Sequence, residues 1–294
     1  MRAPMAKLEL LALALLSGAC PPASQALESS PRVDSVQVGD LHQRFRRMGQ
    51  GPPLLLLHGL TNTWRVWRPY LSSLGAAHEL IVPDLRGHGD TPNPAATLSA
   101  TQVAADMFAL LDALRLDRIQ IAGYSFGGHV ALRMAAMHPE RVDAMVVIAG
   151  AHRLIGSAKQ YHEDAVRSEI PSDWWLSEVS TWHPGGERQV RSLARQGCAS
   201  ALEGAFAMSE SSLAAIRART LIIQGDRDEI FPLETALDMY RKIKGSQLWI
   251  IPKADHSAVF WQDVVPREVE YGGDPATNKI FAELVMAALE QKMQ

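Results

Sequence analysis

Short apolar runs without interior charge alternate along this chain with longer stretches whose apolar residues recur every three or four positions. The runs Leu54–Leu57, Leu80–Val82, Ile119–Ala122, Met145–Ala149, Leu221–Gln224 and Leu248–Ile251 have the character of strands buried on both faces. Ahead of them, Val33–Val38 and Leu41–Arg47 flank Gly39 and Asp40, which predicts an opening hairpin. Val103, Met107, Leu110, Leu111 and Leu114 repeat at helical spacing behind a capping residue, Ser99. A last helix is expected over 276–292, with Ile280, Leu284, Val285 and Leu289 on one face. Residues Trp64 to Leu74 read as an amphipathic helix, its buried face holding Trp64 and Trp67 in preference to a ligand-binding rim. This alternation predicts an α/β fold with a mostly parallel central sheet and helices on both faces. Residues 152–219 break the pattern and read as a helical cap inserted between core segments 33–151 and 220–294.

Composition narrows the class. Lys and Arg number 29 against 32 Asp and Glu, a net charge of -3, which gives no electrostatic case for nucleic acid. With 47% hydrophobic and 21% charged residues, the chain is globular in composition and long enough to bury a sizeable core. The apolar run Leu10–Ala19 falls short of the roughly 20 residues of a membrane-spanning helix. Arg2 and Lys7 precede it, and Ser17, Gly18 and Ala19 close it before Cys20, the layout of a secretory signal within residues 1–26. Leu16 to Cys20 resembles a bacterial lipobox, which implies a membrane tether through lipidated Cys20. A competing cut follows Ala26, after Ser24 and Gln25. Export is therefore expected, as an anchored lipoprotein or a periplasmic or secreted form, with a cytoplasmic protein as the alternative. With Cys20 removed or lipidated, Cys198 has no disulfide partner and reads as an inert core or cap residue.

The chemistry concentrates in Gly123, Tyr124, Ser125, Phe126 and Gly127, which follow an apolar strand and precede helix-like Val130–Met137. A serine on a sharp strand-to-helix turn needs small residues two before and two after it, so that neighbouring backbone can pass. Ser125 is thus the candidate nucleophile. A serine hydroxyl needs a histidine base, and that base needs a carboxylate to fix its tautomer. Asp226, Asp228 and Glu229 follow one strand, and His256 follows the next as the last histidine of the chain. His152, His162 and His183 fall at irregular spacing without a paired Cys or Glu motif, so no metal site is expected.

These residues resemble the α/β-hydrolase family, and the resemblance runs from about Val33 to the C-terminus. It implies Asp228 as the acid, three residues after Gly225 and followed by Ile230 and Pro232, while Asp226 orders the turn and Asp255 points away from the base. It implies oxyanion donors at the backbone N–H groups of Leu60, after His58 and Gly59, and of Phe126. His58 is expected to be a structural hydrogen-bonder, and the turn Pro83–Pro92 to be structural as well. A serine at this turn argues against the haloalkane dehalogenases and epoxide hydrolases of the fold, which use aspartate. The implied activity is a serine esterase working through an acyl-enzyme on a small-molecule ester, without a cofactor. Lactonase, thioesterase and C–C bond hydrolase are the alternatives within the fold, and a slow-turnover ligand receptor the alternative outside catalysis. Trp174, Trp175 and Trp182 are the candidate pocket residues. The charged, Gly- and Pro-containing stretch 261–277 is expected either to shield the site mouth or to contact a partner.

Overall fold

The computed structural model of the protein describes residues 32–95, 97–167, 173–257, 283 and 285–289. Its strands are β1 (Arg32–Val38), β2 (Leu41–Met48), β3 (Pro53–Leu57), β4 (Glu79–Pro83), β5 (Ile119–Tyr124), β6 (Val142–Ile148), β7 (Arg219–Gly225) and β8 (Gln247–Ile251). They form one eight-stranded sheet in the order β1-β2-β4-β3-β5-β6-β7-β8. The β1–β2 and β2–β4 pairs are antiparallel and the remaining pairs parallel, so the predicted α/β class holds. Gly39, at φ 57°, makes the tight turn between β1 and β2.

Strand alternation sorts the core into two layers. Leu55, Leu57, Ile81, Ile121 and Val147 face α2 (Ala100–Ala113) and α3 (Phe126–Met137). Leu54, Leu56, Leu80, Ala122 and Val146 face the opposite layer, where Trp67, Tyr70, Leu74, Val285 and Leu289 pack. Ser99 caps α2 through its Oγ, which accepts the Gln102 N–H at 3.2 Å. Between β6 and β7 lie α4 (Ser157–Val166), α5 (Asp173–Ser180), α6 (Gly186–Leu202) and α7 (Glu210–Ala214), and α8 (Leu233–Lys242) follows β7.

Two expected elements differ in detail. The segment read as one helix from Trp64 to Leu74 is a 3₁₀ run, Trp64–Tyr70, that passes into α1 (Leu71–Gly75). Pro69 lies inside that run, and a proline lacks the N–H and crowds the carbonyl that an α-helical turn requires. The buried face is nonetheless there: Trp67 is fully buried, while the Arg46 guanidinium lies 3.8 Å from the centre of the Trp64 ring. β6 begins three residues earlier than its apolar run, since Val142 and Ala144 pair with Ile119 and Gln120 while Asp143 turns outward to Arg118, and it ends before Ala149, whose φ of 46° is incompatible with a strand. Cys20, the stretch 261–277 and most of the expected last helix lie outside the described residues.

Candidate active site

Ser125 occupies the turn between β5 and α3 with φ 51° and ψ -115°, a conformation that costs a non-glycine residue about 1–3 kcal/mol. Its surroundings enforce it. A Cβ on Gly123 would collide with the Gly127 carbonyl, and one on Gly127 with the carbonyl oxygens of Leu57 and His58. The Ser125 N–H donates to Ile148 O at 2.8 Å, and the Ser125 carbonyl accepts the Gly128 and His129 N–H groups at 2.9 and 3.2 Å. The side chain is thereby held out over the sheet edge where β7 and β8 also end.

There it meets the other two candidates. His256 Nε2 lies 2.9 Å from Ser125 Oγ, and His256 Nδ1 lies 2.8 Å from Asp228 Oδ2. The Asp228 side chain is 0% exposed. Its Oδ1 accepts the N–H groups of Ile230 and Phe231 at 2.9 and 2.8 Å, and its Oδ2 also accepts Gln224 Nε2 at 2.7 Å. These donors leave the carboxylate accepting roles only, so Nδ1 donates to it and Nε2 accepts the serine hydroxyl. Phe231 meets the His256 ring edge-on at 5.3 Å and Tyr124 lies 5.5 Å away, so the imidazole is walled on two sides. Burial, with Asp228 and Asp255 nearby, pushes the Tyr124 hydroxyl well above its ordinary value, which removes it as a base.

The rival acids serve the turns. Asp226 is exposed, and its N–H donates to Ile251 O at 3.2 Å. Asp255 accepts the Ser257 N–H and hydroxyl at 2.8 and 2.7 Å, which shapes the loop carrying His256. The two loops lock together where the Arg227 N–H reaches Ala254 O at 2.9 Å.

Leu60 and Phe126 stand on adjoining backbone, since Gly127 abuts Leu57 and His58. As the first residue of α3, Phe126 has an N–H without an intrahelical acceptor. Around Leu60, the Asn62 N–H goes to Gly59 O at 3.2 Å and the Thr61 N–H to His88 Nε2 at 3.1 Å. From above, α6 presses Gly197 against the Leu60 side chain and Leu193 against Gly87, and Gln189 Nε2 donates to Gly87 O at 2.8 Å. Trp182 is buried with Leu176, Val179 and Val190, and the side chains of Trp174 and Trp175 lie outside the described residues. Cys198 is buried, which pushes its thiol up to about 12. His152, His162 and His183 are buried apart: His162 Nδ1 faces Ala158 O at 2.6 Å, His183 Nδ1 faces Val179 O at 2.9 Å, and His152 Nε2 meets Asp238 Oδ2 at 2.9 Å.

Comparison with known proteins accords with this fold. A family model of the alpha/beta hydrolase fold matches residues 52–180. The chain superposes on the carboxylesterase CesB of Bacillus subtilis with a TM-score of 0.69 at 19% identity, over 90% of this chain and 94% of that one. The chain has the α/β-hydrolase fold. A second hydrolase of like fold is the enol-lactonase of Burkholderia xenovorans, with a TM-score of 0.68 at 19% identity over 88% of this chain and 100% of that one. In sequence, the 2-hydroxy-6-oxo-2,4-heptadienoate hydrolase of Pseudomonas putida is 28% identical over 247 residues, 75% of this chain and 88% of that protein.

Sequence reasoning passed over two groups in this hydrolase. Gln224 holds Asp228 and also donates to Phe231 O at 2.9 Å; a lone amide at the end of an apolar strand was its only signal. His129, one turn after Ser125, is buried between Phe206 at 4.7 Å and Phe231 at 5.1 Å. Burial pushes it down to about 3, so it is a neutral packing group in folded protein.

Proposed function

We propose that this hydrolase cleaves carboxylic esters of small molecules through an acyl-enzyme, with Ser125 as nucleophile, His256 as general base and acid, and Asp228 as the group that orients and stabilises the imidazolium. The unbroken hydrogen-bond relay from Ser125 Oγ through His256 to Asp228 carries this reading. Ser125 Oγ attacks the ester carbonyl as its proton passes to His256 Nε2, and the resulting oxyanion rests on the N–H groups of Leu60 and Phe126. Collapse of the tetrahedral intermediate breaks the acyl–oxygen bond, and His256 returns the proton to the departing alkoxide. Water, deprotonated by His256, then attacks the acyl-enzyme, releasing the acid and restoring the Ser125 hydroxyl. The helices between β6 and β7 serve as the roof of the acyl site, with Trp174, Trp175 and Trp182 as its candidate aromatic residues. Ser125→Ala is expected to abolish p-nitrophenyl butyrate turnover with an unchanged circular dichroism spectrum. Retained turnover would defeat the assignment.

A second reading is C–C bond hydrolysis by the same serine, favoured by the similarity along most of its length to the Pseudomonas putida dienoate hydrolase. Measuring kcat/KM on esters of increasing chain length, lactones, thioesters and 2-hydroxy-6-oxo-2,4-heptadienoate separates the readings. A dienoate value more than about tenfold above the best ester, a discrimination of the size that pocket contacts produce, would replace the first by the second. The N-terminal segment is proposed to direct export, with Cys20 as a lipid tether or cleavage after Ala26. Mass spectrometry of the mature N-terminus distinguishes these from an intact chain beginning at Met1, which would refute export.

A further inference from the structure

Two histidines outside the Ser125 relay, His58 and His88, are completely buried, each 0% exposed, and they cross-link the two loops that flank the proposed oxyanion site. His58 lies just after β3, yet its Nε2 accepts the Leu85 N–H of the loop after β4 at 2.9 Å. His88 lies in that second loop, yet its Nε2 accepts the Thr61 N–H of the first at 3.1 Å. The exchange is reciprocal. A backbone N–H only donates, so both Nε2 atoms must be unprotonated and both protons must sit on Nδ1. Each Nδ1 has an acceptor in place: Gly59 O at 2.8 Å from His58 and Arg86 O at 2.9 Å from His88. The rings meet edge to face at 4.9 Å, and His88 also lies over Phe126 at 6.4 Å.

What the cross-link holds is a strained residue beside a donor. Thr61 has φ 63°, a left-handed conformation unfavourable for a β-branched side chain. It is the residue after Leu60. Fixing the Thr61 N–H fixes the peptide plane between Leu60 and Thr61, and with it the ψ of Leu60, while the Asn62 N–H and side-chain amide clamp Gly59 O and Leu60 O at 3.2 and 3.1 Å. We infer that His88, with His58 as its reciprocal partner, is a positioning residue of the oxyanion hole: its neutral Nε2 anchors the Thr61 N–H, so that the neighbouring Leu60 N–H is aimed where negative charge develops over Ser125. This inference rests on the proposed acyl-enzyme reading, in which Leu60 is a donor. The titratable groups acting on His88 are His58 and His183, whose ring lies 6.2 Å away, and the nearby Asp84 carboxylate is engaged by the Trp64 N–H and Arg46. Cationic or uncharged, neither histidine supplies an anion that would retain a proton on His88.

The test uses the full chain and a trifluoromethyl ketone, whose tetrahedral hemiketal adduct with the serine hydroxyl carries the oxyanion. A fluorophosphonate probe first establishes labelling of Ser125 in wild type; absence of labelling would count against the acyl-enzyme reading itself. His88→Leu is then expected to lower kcat on p-nitrophenyl butyrate about 10- to 100-fold, less than the loss of a whole donor, with KM changed less than about threefold. The trifluoromethyl ketone Ki should rise by the same factor as kcat/KM falls, as for any loss of transition-state binding. His88→Gln, whose Oε1 can accept the Thr61 N–H, should restore most of both. Wild-type ketone affinity in His88→Leu, or no rescue by His88→Gln, would overturn the inference while leaving Ser125 labelling intact. If His88→Leu does not fold, the ring nitrogen NMR shifts of histidine-labelled wild type decide instead. Protons on Nδ1 of both His58 and His88 support the cross-link, and an Nε2 proton on either refutes it.

Discussion

Acid should destabilise this protein in a way that individual buried imidazoles account for. His58 and His129 are both buried, and burial pushes each from the ordinary imidazole value of 6.5 down to about 3. Above 6.5 neither the folded nor the unfolded chain binds a proton at these positions, so they contribute nothing to the pH dependence. As pH falls from 6.5 towards 3, the unfolded chain takes up protons that the folded chain refuses, and stability is lost throughout that window. At about pH 5 the unfolded form of each site is favoured by ~2 kcal/mol, so the pair together costs about 4 kcal/mol, a large part of an ordinary domain's 5–15 kcal/mol. Urea unfolding followed by circular dichroism at about pH 7.5 and 5 measures the whole acid loss, to which His88, His152, His162 and His183, each pushed down by burial, add their share. His129→Leu keeps an apolar group between Phe206 and Phe231 and should reduce the acid loss by ~2 kcal/mol, whatever it does to stability at neutral pH. An acid loss as large in His129→Leu as in wild type would refute the assignment of this penalty to His129.

Other perturbations follow from the same contacts. Asp228→Asn retains the acceptor for the Ile230 and Phe231 N–H groups but presents an amide N–H to His256 Nδ1, favouring the tautomer that cannot take the serine proton; kcat on p-nitrophenyl butyrate should fall on the order of 10⁴-fold with little change in KM. Gly127→Ala drives a methyl group into the Leu57 and His58 carbonyls, so both thermal midpoint and fluorophosphonate labelling of Ser125 should drop. Asp106→Ala leaves the buried Arg86 guanidinium, whose Nε and one terminal nitrogen each lie 2.7 Å from that carboxylate, to its longer 3.3 Å contact with exposed Asp40, and should cost about 3 kcal/mol in urea unfolding.

The strands and the Ser125 turn were legible because they depend on neighbours in sequence: an unbroken apolar run, then glycines spaced around a serine. The contact of His256 with Ser125 and Asp228 was foreshadowed by chain order, which puts this histidine on the turn after the acid-bearing one. Asp228 needed the family resemblance, because three acids share its loop and only the folded turn shows which one the Ile230 and Phe231 N–H groups receive. The 3₁₀ geometry at Trp64–Tyr70 was signalled by Pro69 and overlooked in favour of apolar spacing. The crossed bonds of His58 and His88 were not legible at all, because each joins residues 27 positions apart and depends on a tautomer that no local pattern encodes.

Ser125 and His256 hang from unequal parts of the sheet. β5, which delivers Ser125, is central and almost wholly buried, whereas β8, which delivers His256, is the last strand of the sheet among the described residues and holds only exposed and half-buried positions. Border strands open at lower free energy than central ones. Fraying of β8 alone takes the imidazole away from Ser125 while the strands from β4 to β7 stay paired. Between the working enzyme and the unfolded chain there is thus room for a compact, chemically silent species, and loss of activity under mild stress reports the condition of one border and not of the whole fold.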